Sequence, residues 1–184
     1  EPTNPNKLGE MIKIGRRGSL TGNLTIFGQQ GHVAYPQRAN NPSTIIVKIL
    51  KEIKDINFDR GTKDFQPTNL EVTKINIDNT ADNVIPKSAE ATFNIRFNNK
   101  HSSNSLKKRL NKIFNKVTKK NKSSFKINYR VSGEAFLTKP GKTTFMIQNI
   151  IKKITKLKPK LSTTGGTSDL RFIRKISPGL EFGL

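Results

Sequence analysis

Residues 89–97, AEATFNIRF, decide how the rest of this sequence folds. Two sets of side chains alternate along the stretch: Ala91, Phe93, Ile95 and Phe97 are apolar, and Thr92, Asn94 and Arg96 are polar. Because successive side chains of a β-strand point to opposite faces, the pattern predicts a strand with one face in a core and one face open. A sheet built on this strand therefore needs helices on one face only.

Three further stretches predict strands that can pair with this one. They are residues 17–27 (RGSLTGNLTIF), 69–77 (NLEVTKINI) and 125–131 (FKINYRV). In the second of them the apolar phase shifts between Val72 and Ile75, which predicts a β-bulge.

Two amphipathic helices are predicted between these strands, over residues 40–54 and 103–120. Asn41 or Ser43 can cap the first helix, and Pro42 suits its first turn. The apolar stripes consist of Ile45, Ile46, Ile49, Leu50 and Ile53 in the first helix and of Leu106, Leu110, Ile113, Phe114 and Val117 in the second. The order β-α-β-β-α-β is that of the ferredoxin-like fold, so we expect an α+β domain with both helices on one face of a four-stranded antiparallel sheet.

The remaining sequence does not belong to that plan. A third helix is predicted over residues 142–156, followed by the glycine loop TTGGTSDLRFI (163–173) and a short final strand. The chain starts at Glu1 without a methionine and stops in LEFGL, which resembles an interrupted strand. We therefore expect part of a longer protein, with a domain at 17–137 inserted into a second domain that contributes residues 1–16 and 138–184.

Composition limits the possible functions. The 34 Lys and Arg against 13 Asp and Glu give a net charge of +21, which is compatible with a polyanionic partner. The lysines are spread over helix surfaces, however, and no aromatic-basic RNA-binding signature is present, so nucleic acid is disfavoured. The absence of cysteine excludes disulfides and thiolate ligands and favours the cytoplasm, and no apolar run is long enough to span a membrane.

His32 is the first candidate site residue. It lies in FGQQGHVAYPQRANNP (27–42), where Gly31 permits close backbone approach and Pro36 stiffens the chain after Tyr35. Such a constrained histidine can serve as a pre-oriented hydrogen-bond donor, although a structural or merely exposed histidine is the alternative. His101, in the polar turn NNKHSSNS, is expected to be solvated.

Three other segments could bind an anion. The arginine pair of GRRGS (15–19) suits a carboxylate or a phosphate, and GGTSD (165–169) can offer backbone N–H groups. Asn83 precedes the strand at 89–97, and Arg96 lies on its open face. A basic surface turn, a tight turn and an ordinary strand entry are the respective alternatives.

Taken together and in this order, GRRGSL, QGHVAYP with the following NP, DNVIPKSAEATFNIRF, SGEAFLTKPGK and GGTSD resemble the second half of the succinyl-diaminopimelate desuccinylase family. The family belongs to the zinc aminoacylase and carboxypeptidase superfamily. The resemblance implies a ferredoxin-like dimerisation (lid) domain inserted in an α/β zinc-hydrolase domain of which only the C-terminal part is present. It also implies a cytoplasmic homodimer with two zinc ions, or cobalt, that hydrolyses N-succinyl-LL-2,6-diaminopimelate in lysine and diaminopimelate biosynthesis. Acetylornithine deacetylase shares the architecture but matches these strings less well, and it remains an alternative, as does a basic ferredoxin-like nucleic-acid-binding module.

The resemblance also implies roles for individual residues. His32 would reach the partner subunit's site and donate a hydrogen bond to the oxyanion, and Glu1 would be a zinc ligand. The general base and most metal ligands would lie outside this chain, so the chain alone is expected to be inactive. The implied substrate-binding residues are Arg16, Arg17, Tyr35, Asn83, Arg96, Ser132, Gly166 and Thr167.

Overall fold

The computed structural model describes residues 3–183 of the chain. The strands are β1 (Met11–Lys13), β2 (Gly15–Arg16), β3 (Gly18–Phe27), β4 (Gly31–His32), β5 (Asn69–Asn76), β6 (Val84–Ile85), β7 (Ser88–Phe97), β8 (Ser124–Gly133), β9 (Phe136–Leu137) and β10 (Lys160–Ser162). The α-helices are α1 (Pro42–Lys54), α2 (Ser103–Lys120), α3 (Lys142–Thr155) and α4 (Leu170–Ile173).

The four long strands form one antiparallel sheet in the order β5-β7-β3-β8. This is the ferredoxin-like arrangement, and the predicted α+β fold is confirmed. The pairing of β5 with β7 shifts register between Val72 and Lys74, which confirms the predicted bulge.

Helices α1 and α2 pack on one face of this sheet. Of the two possible caps for α1, Asn41 is the one used, because its side-chain oxygen accepts a hydrogen bond from the backbone N–H of Ser43 at 2.9 Å. The centre of the core is aromatic, with Phe93, Phe97 and Phe114 fully buried. The opposite face of the sheet is polar and open, as the alternation in β7 predicts.

A second, smaller cluster lies outside this sheet. β1 pairs in parallel with β10, and Ile12 and Ile14 pack against Ile151 of α3. The predicted third helix is confirmed as α3, whereas β10 was not predicted, because three residues are too few for a periodic pattern.

The stretch predicted as a glycine loop, residues 163–173, ends in the single helical turn α4, in which Leu170 is buried and the following apolar side chains are exposed. The short final strand predicted after it is reduced to one antiparallel bridge, between Glu181 and Lys13. Among residues 3–183, no helix is long and apolar enough to cross a membrane.

Candidate functional site

His32 sits in a small closed loop at one end of the sheet. β4 pairs with β6, and a bridge between Gln29 and Asn40 closes the base of the loop. The backbone is tightly packed, because a Cβ on Gly31 would lie 2.7 Å from the Cβ of Ala39. The loop therefore presents an exposed imidazole on a constrained backbone.

The backbone also orients the imidazole of His32. Its Nδ1 accepts a hydrogen bond from the N–H of Ala34 at 3.1 Å. A neutral imidazole that accepts at Nδ1 carries its proton at Nε2. His32 thus offers an exposed Nε2–H donor.

Two other expected site residues lie beside His32. Tyr35 is 52% exposed, and its ring centroid is 6.1 Å from that of His32. The carbonyl of Asn83 accepts a hydrogen bond from the N–H of Val33 at 3.0 Å. The structure therefore brings His32, Tyr35 and Asn83 together.

Arg17 and Arg96 lie together at the other end of the sheet. Arg17 Nη1 donates to the carbonyl of Pro67 at 3.2 Å and to Oδ1 of Asn69 at 2.9 Å. Its Nε is buried and has no hydrogen-bond partner among residues 3–183. The pKa of Arg17 is lowered mainly by burial and, to a smaller extent, by repulsion from Arg96. No carboxylate of the described residues forms an ion pair with the guanidinium of Arg17 or of Arg96, and the charge of both remains unbalanced by such a contact.

Arg16 is placed differently from its neighbour. It is buried, and its Nε and Nη2 donate to the Glu181 carboxylate while Nη1 donates to the carbonyl of Thr164 at 3.1 Å. Gly165 adopts a φ of +101°, and a Cβ there would lie 2.4 Å from Arg16 Nη1. Arg16 therefore holds the glycine loop in place through its contacts with Thr164 and Glu181.

A buried lysine supports the same loop. Lys13 is 5% exposed, and its Nζ donates to the Thr164 hydroxyl at 2.6 Å. Burial first and repulsion from Arg16 second lower the pKa of Lys13, while Glu181 opposes the shift. In the loop itself, Gly166 is exposed and the Thr167 hydroxyl accepts a hydrogen bond from Arg171 at 2.7 Å.

Ser132, at the end of β8, lines an open cleft of about 420 Å³ together with α4 and the residues that follow it. Arg171, which was not among the expected site residues, lies in the same cleft. A basic residue two positions after GGTSD was the available signal.

The His32 loop and the arginines Arg17 and Arg96 are far apart within one chain. β3 and β7 pair from Gly18 opposite Phe97 to Phe27 opposite Ser88. Nine steps of about 3.3 Å separate these ends by roughly 30 Å. The His32 loop follows one end, whereas Arg17 and Arg96 lie at the other.

The family model of the peptidase dimerisation domain (M20_dimer) matches residues 14–122. The chain belongs to this family. The matched range contains His32, Asn83 and Arg96, while Ser132 and the glycine loop lie beyond the peptidase dimerisation domain.

Named relatives match the whole chain. It is 80% identical over 184 residues to the succinyl-diaminopimelate desuccinylase of Pelagibacter ubique and 51% identical to that of Parvibaculum lavamentivorans. The chain spans 48% and 47% of these proteins, about half their length.

Solved structures show the same fold at low identity. A tripeptidase from Staphylococcus aureus superposes with a TM-score of 0.80 at 15% identity, over 100% of this chain and 47% of that one. An aminopeptidase from Bacillus cereus gives a TM-score of 0.74 at 17% identity, over 94% of this chain and 44% of that one.

Within residues 3–183, no group of three or more His, Cys, Asp or Glu side chains could hold a metal ion. The part of the chain that the structure describes therefore does not fit a zinc centre by itself. The implied zinc ligand Glu1 lies outside the described residues.

The expectation that His101 is solvated is wrong. Its side chain is only 18% exposed, and Nε2 lies 3.1 Å from Oδ2 of Asp59, inside the peptidase dimerisation domain. Burial alone would raise the pKa of Asp59, but hydrogen bonds from Thr68, Gly61 and Asn98 outweigh it and lower the pKa to about 2. Asp59 comes 42 residues before His101, so a local pattern could not reveal the pair.

Proposed function

We propose that this chain is part of an amidohydrolase that converts N-succinyl-LL-2,6-diaminopimelate to succinate and LL-2,6-diaminopimelate. The observation that carries the proposal is the 80% identity to the Pelagibacter ubique desuccinylase over all 184 residues. Because the chain spans 48% of that protein, the activity belongs to a longer polypeptide.

His32 acts on the amide in this proposal. Its exposed Nε2–H, oriented by the bond from Ala34 to Nδ1, donates to the oxyanion that forms when the amide carbonyl is attacked. Tyr35 and Asn83 contact the substrate beside it.

The arginines bind the substrate's carboxylates. Arg17 and Arg96 have no acidic partner among the described residues and suit a carboxylate through charge-assisted hydrogen bonds. Arg16 keeps the backbone of Gly166 and Thr167 in position to contact the same molecule, and Ser132 faces it from the neighbouring cleft.

A homodimer is part of the proposal, and the distance between the His32 loop and the arginines supports it. Since His32 and the arginines are roughly 30 Å apart along the sheet, His32 completes the site of a second subunit. We place the domain that carries this exchange at 17–137, between catalytic-domain segments 1–16 and 138–184; the separate small core around Ile12 and Ile151 supports this division.

The metal centre would be held elsewhere. The two zinc or cobalt ions implied by the resemblance need ligands outside residues 3–183, with Glu1 among them. As a biosynthetic enzyme the protein would act in the cytoplasm, with neither nucleic acid nor a membrane as its partner.

A chimera tests the proposal. This chain replaces the stretch of the Pelagibacter ubique desuccinylase that it matches, and the product is assayed by chromatography for succinate released from N-succinyl-LL-2,6-diaminopimelate. We expect a higher kcat/KM for this substrate than for N-acetylornithine. The opposite order would identify a different deacylase, and tight, salt-dependent RNA binding without hydrolysis would identify a nucleic-acid-binding module.

A further inference from the structure

The cleft beside Ser132 carries excess positive charge. Arg171, Arg174 and Lys175 line it, and its one carboxylate belongs to Glu134. Both oxygens of that carboxylate accept from the N–H of Ser103, at 3.2 and 3.1 Å, at the start of α2. The lining therefore favours an anion.

The cleft adjoins the arginines of the proposed site through the register of the sheet. Ser19 of β3 lies opposite Arg96 of β7 on one side and opposite Gly133 of β8 on the other. The pairing of β3 with β8 shifts register between Ser19 and Leu20, so Gly133 pairs with Ser19 at a bulge. It still lies opposite Ser19, which like Arg96 faces the open side. The Cα atoms of Gly133 and Arg96 are two strand spacings apart, or about 10 Å.

Arg171 covers this open side of Gly133. A Cβ on Gly133 would lie 2.9 Å from Arg171 Cδ, so the side chain of Arg171 lies where a larger residue would put its own. Arg171 therefore stands at one end of a row that has Arg96 at the other.

The guanidinium of Arg171 has donors to spare. Nη1 donates to the Thr167 hydroxyl, and Nε is buried with no hydrogen-bond partner among residues 3–183. The guanidinium is 4.5 Å from the centroid of the Phe172 ring, which limits its freedom. A buried N–H without an acceptor is unfavourable, and a bound carboxylate would supply one.

We infer that Arg171 binds a second carboxylate of the substrate, in the cleft beside Ser132, while Arg17 and Arg96 bind another. The inference rests on the proposed function and adds a specificity residue to it. The ligand class is an elongated molecule with carboxylates at separate positions, and N-succinyl-LL-2,6-diaminopimelate carries three.

The test is the variant Arg171→Gln in the chimera. Losing charge-assisted hydrogen bonds should raise KM about 10- to 100-fold while kcat changes less than about threefold. Arg171→Lys keeps the positive charge but loses the planar guanidinium, so its KM should lie between those of the parent chimera and of Arg171→Gln. Arg60→Gln is the matched control, because Arg60 is exposed and does not line the cleft.

Substrates with one carboxylate converted to an amide identify the group that Arg171 binds. Converting the carboxylate that Arg171 binds to an amide should raise KM in the parent chimera. In Arg171→Gln the same amide should not raise KM further, because both changes remove the same contact. An unchanged KM in Arg171→Gln would overturn the inference. So would a loss of kcat and thermal stability at constant KM, which would indicate a structural role. If the parent chimera releases no succinate from this substrate, the proposed function has failed, independently of Arg171.

Discussion

If His32 acts in the site of a partner subunit, two variants that are each inactive should regain activity when they are mixed and form dimers with each other. The variants are His32→Ala and Arg96→Ala, each made in the chimera. Removing one oxyanion donor lowers turnover about 100- to 1000-fold, so His32→Ala alone should retain almost no activity. Arg96→Ala alone should bind substrate too weakly to turn it over at ordinary concentrations.

The expected recovery follows from the length of the sheet. Roughly 30 Å separates the end of β3 near Arg96 from the end that leads to the His32 loop. No side chain spans that distance, so in the proposed mechanism each active site combines one subunit's arginines with the other subunit's histidine. A mixed dimer then has one site that carries both substitutions and one site that carries neither.

The assay mixes the two variants in equal amounts, dissociates and reassociates them, and measures succinate release. Random pairing makes half of the dimers mixed, and each has one intact site of two, so activity should recover to about a quarter of the parent value.

The matched control mixes His32→Ala with Asn83→Ala. Both residues lie at the same end of the sheet, so every site in this mixture receives a defective loop and activity should stay low. His32 does not act in the partner's site if mixed dimers form, as shown by two different tags in one complex, and the mixture of His32→Ala with Arg96→Ala stays as inactive as its components.

Three further predictions concern the stability of the chimera, measured by chemical or thermal unfolding. Asp59→Asn should lower the free energy of unfolding by about 2 kcal/mol at pH 7, because the lowered pKa of about 2 makes the Asp59 carboxylate stabilising above pH 4. This difference should shrink as pH falls from 5 to 2, and a difference that does not depend on pH would contradict the prediction. Arg16→Ala should cost about 3 kcal/mol because it leaves the Glu181 carboxylate buried without its partner, and adding Glu181→Ala should recover part of the loss. Gly22→Ala places a Cβ 2.3 Å from a core phenylalanine ring and should cost about 1–3 kcal/mol, whereas Gly141→Ala, with no atom within 4 Å, should cost much less.

Periodic patterns predicted the fold well. α2 begins at Ser103 and ends at Lys120, the predicted bounds, because its apolar stripe is long and Ser102 forms a capping box with Ser105. The alternation in β7 likewise set which face of the sheet is buried. β10 has three residues and α4 has four, so each spans little more than one period, carries no such signal and was not predicted.

Long-range pairs account for what the sequence could not predict about the site. Arg16 and Glu181 are 165 positions apart, and nothing local to either residue indicates that they form an ion pair. Arg171 went unnoticed for a related reason, because its contact with the open side of Gly133 depends on how α4 docks against β8.

The adjacent arginines of GRRGS illustrate how one extended segment serves both parts of the site. Consecutive side chains of an extended chain point to opposite sides, and here Arg16 turns toward Thr164 and Glu181 while Arg17 turns toward Asn69 and Arg96. The glycine loop and the arginine pair on the sheet are thus linked through a single peptide bond. A shift of the loop relative to the sheet would have to break the contacts of Arg16 or of Arg17, so the dipeptide keeps the glycine loop and the end of the sheet in a constant relation.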